Sequence, residues 1–163
     1  MELTKKMEDA INGQIQAEYY SSYLYLAMAA YCDSVNMPGY AHWMRVQARE
    51  EMEHVMKFYH YVVERGGRVV FGAIAQPPVE YDSILAIAEE TYAHEQKVTS
   101  LIHKLYEVAA AEKDYASQSF LQWYIDEQVE EEDNARTIVE QLKMVGDHVS
   151  GLFMLDRHLA SRE

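Results

Sequence analysis

Residues 44–61, MRVQAREEMEHVMKFYHY, decide the fold because they form a helical core stripe that is interrupted by polar side chains. Positions alternately three and four apart face the same side of a helix in a bundle. In this stretch those positions hold Met44, Gln47, Glu51, His54, Phe58 and Tyr61. The stripe is apolar towards both ends and has a carboxylate and an imidazole in its middle. It predicts a helix that buries these two groups in the core of a bundle.

Three more stretches repeat this pattern, each with a glutamate near the middle of its stripe. The inward-facing ionisable residues of the four stripes are Glu18, Glu51, His54, Glu95 and Glu131. Desolvating each charge would cost several kcal/mol, and the stripes contain no Lys or Arg that could compensate it. The compensating charge must therefore come from protons or from metal ions.

The chemistry of this residue set favours a metal site. Oxygen ligands with a single histidine suit iron(II) or manganese better than zinc or copper. Glu51 and His54 lie on one helix face at i, i+3, so both can reach one ion. Glu18 and Glu95 can bind one ion each or bridge both. Two divalent ions would balance the four carboxylates.

The periodicity predicts an all-α fold, a four-helix bundle with a short fifth helix at its C-terminal end, forming one domain over residues 1–163. The predicted helices cover about residues 4–35, 40–65, 83–111, 114–145 and 149–159. Turns are expected at residues 36–39 and 66–67, where proline and glycine interrupt the pattern. The ~14 extended residues from 68 to 81 can span roughly 46 Å at ~3.3 Å each. This long crossover allows the second and third helices to lie parallel.

Composition limits the partners of the chain. With 27 acidic against 14 basic residues the formal net charge is -13, which repels nucleic acid and concentrates cations. Excess glutamate also simply keeps a helical surface soluble. The first ten residues lack the apolar run of a signal peptide, and no stretch approaches the roughly 20 apolar residues of a membrane span. Cys32 is the only cysteine. We therefore expect a cytoplasmic protein with no nucleic-acid or membrane partner.

The four stripes resemble those of the ferritin-like di-iron carboxylate family, and the resemblance extends over essentially the whole chain. The stretches that resemble the non-haem ferritins of bacteria and archaea are AEYYSSYLY at 17–25, REEMEH at 49–54, ETYAHEQ at 90–96 and FLQWYIDEQVEEE at 120–132. The resemblance implies a ferritin-like bundle that oxidises Fe(II) to Fe(III) with oxygen or peroxide. It also implies storage of the ferric mineral inside a homo-oligomeric shell of 24 subunits.

The resemblance also implies which residues form the ferroxidase centre, where two irons are bound. One iron would be held by Glu18, Glu51 and His54. The other would be held by Glu51, Glu95 and Glu131, with Glu51 bridging the two ions.

A third iron site adjoins the pair in this family. The matching positions here are Glu50, Glu127 and Glu130, which lie beside the core stripe. The same resemblance places Gln128 at the second iron, near oxygen, and Tyr25 close enough to relay an electron or a proton.

The ligand pattern of the fourth helix distinguishes this chain from a related family, the bacterioferritins. A bacterioferritin would have a histidine at Glu131, completing a second E-x-x-H motif, and here the fourth helix reads Q-x-x-E. Met52 stands where a bacterioferritin would offer a haem ligand, but non-haem ferritins resemble this stretch too, so we expect no haem. Rubrerythrin is disfavoured because a single cysteine cannot build its cysteine-ligated iron domain.

Two other functions fit the same bundle. One is a peroxide-detoxifying di-iron protein or manganese catalase, which would consume peroxide without forming mineral. The other is a helical interaction module whose core glutamates are protonated and which retains no metal.

Overall fold

Helices account for nearly all of the secondary structure in this computed structural model, which describes residues 2–163. The elements are α1 (Lys5–Ser34), α2 (Pro38–Glu64), α3 (Ile84–Ala111), α4 (Tyr115–Val145) and α5 (Val149–Leu159). No strand occurs within these described residues. The predicted all-α architecture, with four long helices and a short fifth, is confirmed.

Side-chain caps set the starts of three helices. The side chains of Thr4, Ser83 and Asp114 each accept a hydrogen bond from a backbone N–H in the first turn of the helix that follows. Such caps satisfy amides that have no partner inside the helix.

The start of α2 differs from the prediction. We expected Pro38 and Gly39 to end a turn, but α2 begins at Pro38, because proline fits the first helical position, where no N–H bond is needed. The cap comes from α5. The carboxylate of the buried Asp156 accepts hydrogen bonds from Gly39 N at 3.1 Å and Tyr40 N at 2.9 Å. A Cβ at residue 39 would lie 1.8 Å from the backbone oxygen of Asp156, so glycine is required for this approach.

Cross-helix pairs establish the direction of each helix. The pairs, counting residues within two positions of a helix end with that helix, are Leu3–Arg65 and Asp33–Arg45 for α1 and α2, Glu89–Lys143 and Thr99–Glu132 for α3 and α4, and Lys6–Glu112 and Ser21–His94 for α1 and α3. In every pair of helices the residue numbers run in opposite directions. Both α2 and α3 are therefore antiparallel to α1 and parallel to each other, as the long crossover predicts.

The crossover between α2 and α3 is extended and is held by side chains of α1. The Asn12 amide donates to Arg68 O at 3.0 Å and its oxygen accepts from Val70 N at 2.9 Å. Gln16 donates to Ala73 O at 2.5 Å. These side chains satisfy backbone groups that have no sheet or helix partner.

Two apolar clusters fill the bundle and a polar layer lies between them. Representative members are Met28, Met44 and Ile87 in the first cluster and Ile11, Phe58 and Ile102 in the second. Burying each such side chain stabilises the fold by about 1.5–3 kcal/mol, which offsets the cost of burying polar groups between the clusters. Within residues 2–163 no helix is long and apolar enough to cross a membrane.

Candidate metal centre

Glu18, Glu51 and His54 form a buried cluster in the polar layer. One ligand atom from each of them lies within 4.8 Å of those of the other two, and the three residues are only 1%, 2% and 5% exposed. His54 Nδ1 lies 3.3 Å from Glu51 Oε2 and 3.9 Å from Glu18 Oε2. The spacing on α2 and the antiparallel packing of α1 thus bring together three of the predicted ligands.

His54 is held from two sides. The hydroxyl of Tyr124 on α4 donates to His54 O at 3.0 Å. The ring of Trp123 meets the imidazole edge-on, with centroids 5.3 Å apart. Lys57 Nζ lies 3.1 Å from the centroid of the Trp123 ring, so Trp123 separates the imidazole from a surface cation.

The Glu18 carboxylate has one oxygen with a partner and one without. Its Oε1 accepts a hydrogen bond from Gln14 Nε2 at 2.7 Å. Its Oε2 is the one buried side-chain polar atom, among the described residues, that has no hydrogen-bond partner, since 3.9 Å to His54 is too long for a hydrogen bond. An unpaired buried acceptor costs about 1–3 kcal/mol. A cation between Glu18, Glu51 and His54 would remove this cost, so the residues fit a metal ion.

Glu95 and Glu131, from α3 and α4, face the same layer. Glu95 Oε1 accepts a hydrogen bond from the Tyr25 hydroxyl, and its Oε2 accepts from Gln128 Nε2 at 3.2 Å. Glu131 Oε2 accepts from Gln47 Nε2 at 2.7 Å, and the same amide lies 3.3 Å from Glu51 Oε1. Both glutamates lie outside the three-residue cluster, and the amide of Gln47 links Glu131 to it.

The electrostatics of the centre favour protons wherever a metal ion is absent. Burial raises the pKa of Glu51 and of Glu131 above the usual value, and burial together with the charge of Glu131 raises the pKa of Glu95 to about 8. For His54, burial favours the neutral ring, but the carboxylates of Glu18 and Glu51 outweigh it and raise the pKa to about 11. Tyr25 is fully buried, and burial beside Glu95 holds the pKa of its hydroxyl well above 10.

The residues predicted for a third iron are not gathered into a cluster. Glu50 is half-buried, and its Oε2 accepts a hydrogen bond from Arg162 Nη2 at 2.5 Å. Burial raises the pKa of Glu50. Glu127 is half-buried and Glu130 is exposed. Within residues 2–163, the cluster of Glu18, Glu51 and His54 is the one group of three or more His, Cys, Asp or Glu close enough to share an ion.

Three residues that contact the centre were not assigned to it from sequence. Gln47 occupies a core position of the second stripe, so its spacing was a usable signal. Gln14 lies four residues before Glu18 on the same helix, so its spacing was a signal too. Arg162 gave no such signal, because it lies after the last helix. Only the packing of the segment after α5 against α2 brings Arg162 to Gln47 and Glu50.

Comparison with known proteins gives consistent matches over nearly the whole chain. The ferritin-like domain model matches residues 8–145. The bacterial non-haem ferritin of Staphylococcus aureus (strain USA300) is 39% identical over 160 residues, covering 98% of this chain and 96% of the relative. That of Staphylococcus epidermidis is 41% identical over the same length. An open-pore ferritin from the hyperthermophilic archaeon Archaeoglobus fulgidus superposes with a TM-score of 0.98 at 51% identity, covering 99% of this chain and 98% of that one.

Proposed function

The chain belongs to the ferritin family, as a non-haem ferritin of the bacterial and archaeal type, and from this premise we propose that its buried centre is a ferroxidase site for two ferrous ions. The observation that carries the proposal is the unpartnered oxygen of Glu18 beside Glu51 and His54. The family accounts for iron oxidation and storage. The buried oxygen without a partner supports this centre as the place where the iron binds.

Iron is the substrate and five residues are its ligands in this proposal. Glu18, Glu51 and His54 would hold the first ferrous ion, while Glu51, Glu95 and Glu131 would hold the second. Each ion gives up one electron, and the two electrons with two protons reduce dioxygen to hydrogen peroxide. Carboxylate oxygens favour the ferric product, because hard, anionic ligands suit the higher charge. Ferric iron would then leave for the mineral.

The residues of the centre and those around it release or accept protons as the ions bind. The carboxyl groups with raised pKa values must lose their protons before they can bind a cation, so loading with iron releases protons. Gln128 would orient Glu95 through its amide, which donates to Glu95 Oε2 at 3.2 Å. Tyr25 donates to the other oxygen of Glu95. If Tyr25 supplies an electron, the Glu95 carboxylate is already in contact with its hydroxyl and can accept the hydroxyl proton.

A third ferrous ion would bind at Glu50, Glu127 and Glu130. The ion pair between Glu50 and Arg162 has to open for this to occur. The third site would therefore fill after the two ions of the buried centre, at higher iron concentration.

We propose that storage takes place in a shell of 24 copies of this chain. A monomer could oxidise iron but could not enclose a mineral. Large apolar side chains are exposed on α1 and on the crossover, including Leu26 at 49%, Phe71 at 56% and Val79 at 66%. Leu26 and Val79 also line a surface groove of about 680 Å³ between these two segments. Exposed apolar patches of this kind mark protein–protein contacts, which supports self-association.

The test is an anaerobic titration of metal-free protein with iron(II), followed by exposure to oxygen. We expect at least two ferrous ions per chain, rapid oxidation and a large hollow particle. Glu18→Ala or His54→Ala should remove the fast phase of oxidation, whereas Glu53→Ala, an exposed position on the same helix, should leave it unchanged.

Two results would contradict the proposal. Oxidation no faster than in protein-free buffer would exclude a ferroxidase centre. A small particle that consumes peroxide without forming mineral would point instead to a peroxide-detoxifying enzyme.

A further inference from the structure

Arg162, in the short segment after α5, contacts α2 at four points. Its Nη1 donates to Gln47 Oε1 at 2.8 Å and its Nη2 donates to Glu50 Oε2 at 2.5 Å. The guanidinium carbon lies 4.5 Å from the ring centroid of Trp43. The backbone oxygen of Arg162 lies 2.7 Å from His42 Nε2. The side chain is only 21% exposed, so this guanidinium is a fixed part of the wall of the bundle.

Gln47 continues this contact into the polar layer. It is 1% exposed, and its Nε2 donates to Glu131 Oε2 at 2.7 Å and lies 3.3 Å from Glu51 Oε1. Arginine has only hydrogen-bond donors, so Gln47 must present its oxygen to Arg162 and its NH₂ group to the two carboxylates. The guanidinium thereby sets which end of the amide faces the metal ligands.

From this geometry we infer that Arg162 is a positioning residue of the metal centre, which acts through the amide of Gln47 on Glu51 and Glu131. The inference rests on the proposed function, because it takes these glutamates as ligands. Partners that hydrogen-bond to metal ligands orient them, and losing such a partner typically weakens metal binding about 10- to 100-fold. Arginine suits the position because its planar fork contacts Gln47 and Glu50 at once, which the single ammonium of lysine cannot reproduce.

The experiment measures anaerobic cobalt(II) binding to metal-free protein by visible absorption, together with the rate of iron(II) oxidation. Arg162→Met keeps an apolar stem on Trp43 but removes the donors, and we expect the first two cobalt ions per chain to bind about 10-fold more weakly. Arg162→Lys should recover only part of the loss. Arg157→Met, an exposed arginine of α5, is the matched control and should bind cobalt as the wild type does.

A double variant separates positioning from a general structural effect. If Arg162 acts through Gln47, then Arg162→Met combined with Gln47→Leu should bind cobalt no more weakly than Gln47→Leu alone. Losses that multiply in the double variant, or wild-type cobalt affinity in Arg162→Met, would overturn the inference. Failure of the wild-type protein itself to bind cobalt or oxidise iron would instead overturn the proposed function.

Discussion

Replacing Glu95 with glutamine should stabilise the metal-free protein, and the gain should grow with pH. In the unfolded chain the carboxyl of Glu95 ionises near its ordinary pKa of 4.5, whereas in the folded chain its pKa is about 8, chiefly because of burial. Between these values the folded protein holds a proton that the unfolded chain has released. The free energy of unfolding therefore falls as pH rises from about 4.5 to 8. Glutamine does not titrate, so Glu95→Gln removes this loss, and its oxygen can still accept from Tyr25.

The size of the effect follows from the two pKa values. At about 1.4 kcal/mol for each pH unit, the raised pKa of Glu95 lowers the free energy of unfolding of the metal-free protein by about 3 kcal/mol at pH 7. Above pH 8 the cost reaches about 5 kcal/mol. The assay is denaturant unfolding of chelator-treated protein at pH 5 and pH 8, at one protomer concentration, because assembly contributes to apparent stability. Glu107→Gln, an exposed position on the same helix, is the control. Equal stability of Glu95→Gln and wild type at both pH values would refute this account of the polar layer.

Three other outcomes follow from the geometry. Tyr25→Phe should slow repeated turnover of iron(II) more than the first binding and oxidation, measured by multiple additions of iron, because the hydroxyl beside Glu95 is lost; equal slowing of both phases would contradict this. Gly39→Ala should destabilise the protein by about 1–3 kcal/mol, since its Cβ meets Asp156, whereas Gly13→Ala, where a Cβ meets nothing within 4 Å, should stabilise it by about 0.5–1 kcal/mol. Zinc added to metal-free protein should raise the melting temperature more at pH 8 than at pH 5, because bound carboxylates must lose their protons; a larger rise at pH 5 would contradict this.

Most of the fold could be predicted because it depends on local pattern. The heptad stripes, the glycine pair after α2 and the capping residues act within a few positions of the chain, and the long crossover restricts the topology. The start of α2 could not be predicted in the same way. Pro38 suits either a turn or a first helical turn, and the choice depends on Asp156, which lies 117 residues from Gly39 in the sequence.

In the candidate site, too, the features that depend on local pattern could be predicted and the long-range contacts could not. The stripes identified all five residues that we expect to bind the two ions. The structure places three of them, Glu18, Glu51 and His54, within reach of one ion. Assignment of the ligands of all three ions stays a prediction, as do the 24-subunit shell and the cytoplasmic location. The contact of Arg162 with Gln47 and Glu50 could not be predicted, because it joins residues 115 and 112 positions apart and has no periodic signal. It bears directly on Glu50, which the family resemblance assigned to a third iron site.

The extended crossover also offers a place to divide the protein. Its residues 70–76 are exposed, and it is the only covalent link between the α1–α2 and α3–α4 pairs within the described chain. If the gene were divided at a codon within residues 70–76 and the two parts were expressed separately, two peptides would result. The first would carry Glu18, Glu51 and His54, and the second would carry Glu95 and Glu131. Neither peptide alone would carry the full ligand set for two ions. Rapid iron oxidation would return only when the peptides associate, so a split version of this chain would report complementation through the colour of ferric iron.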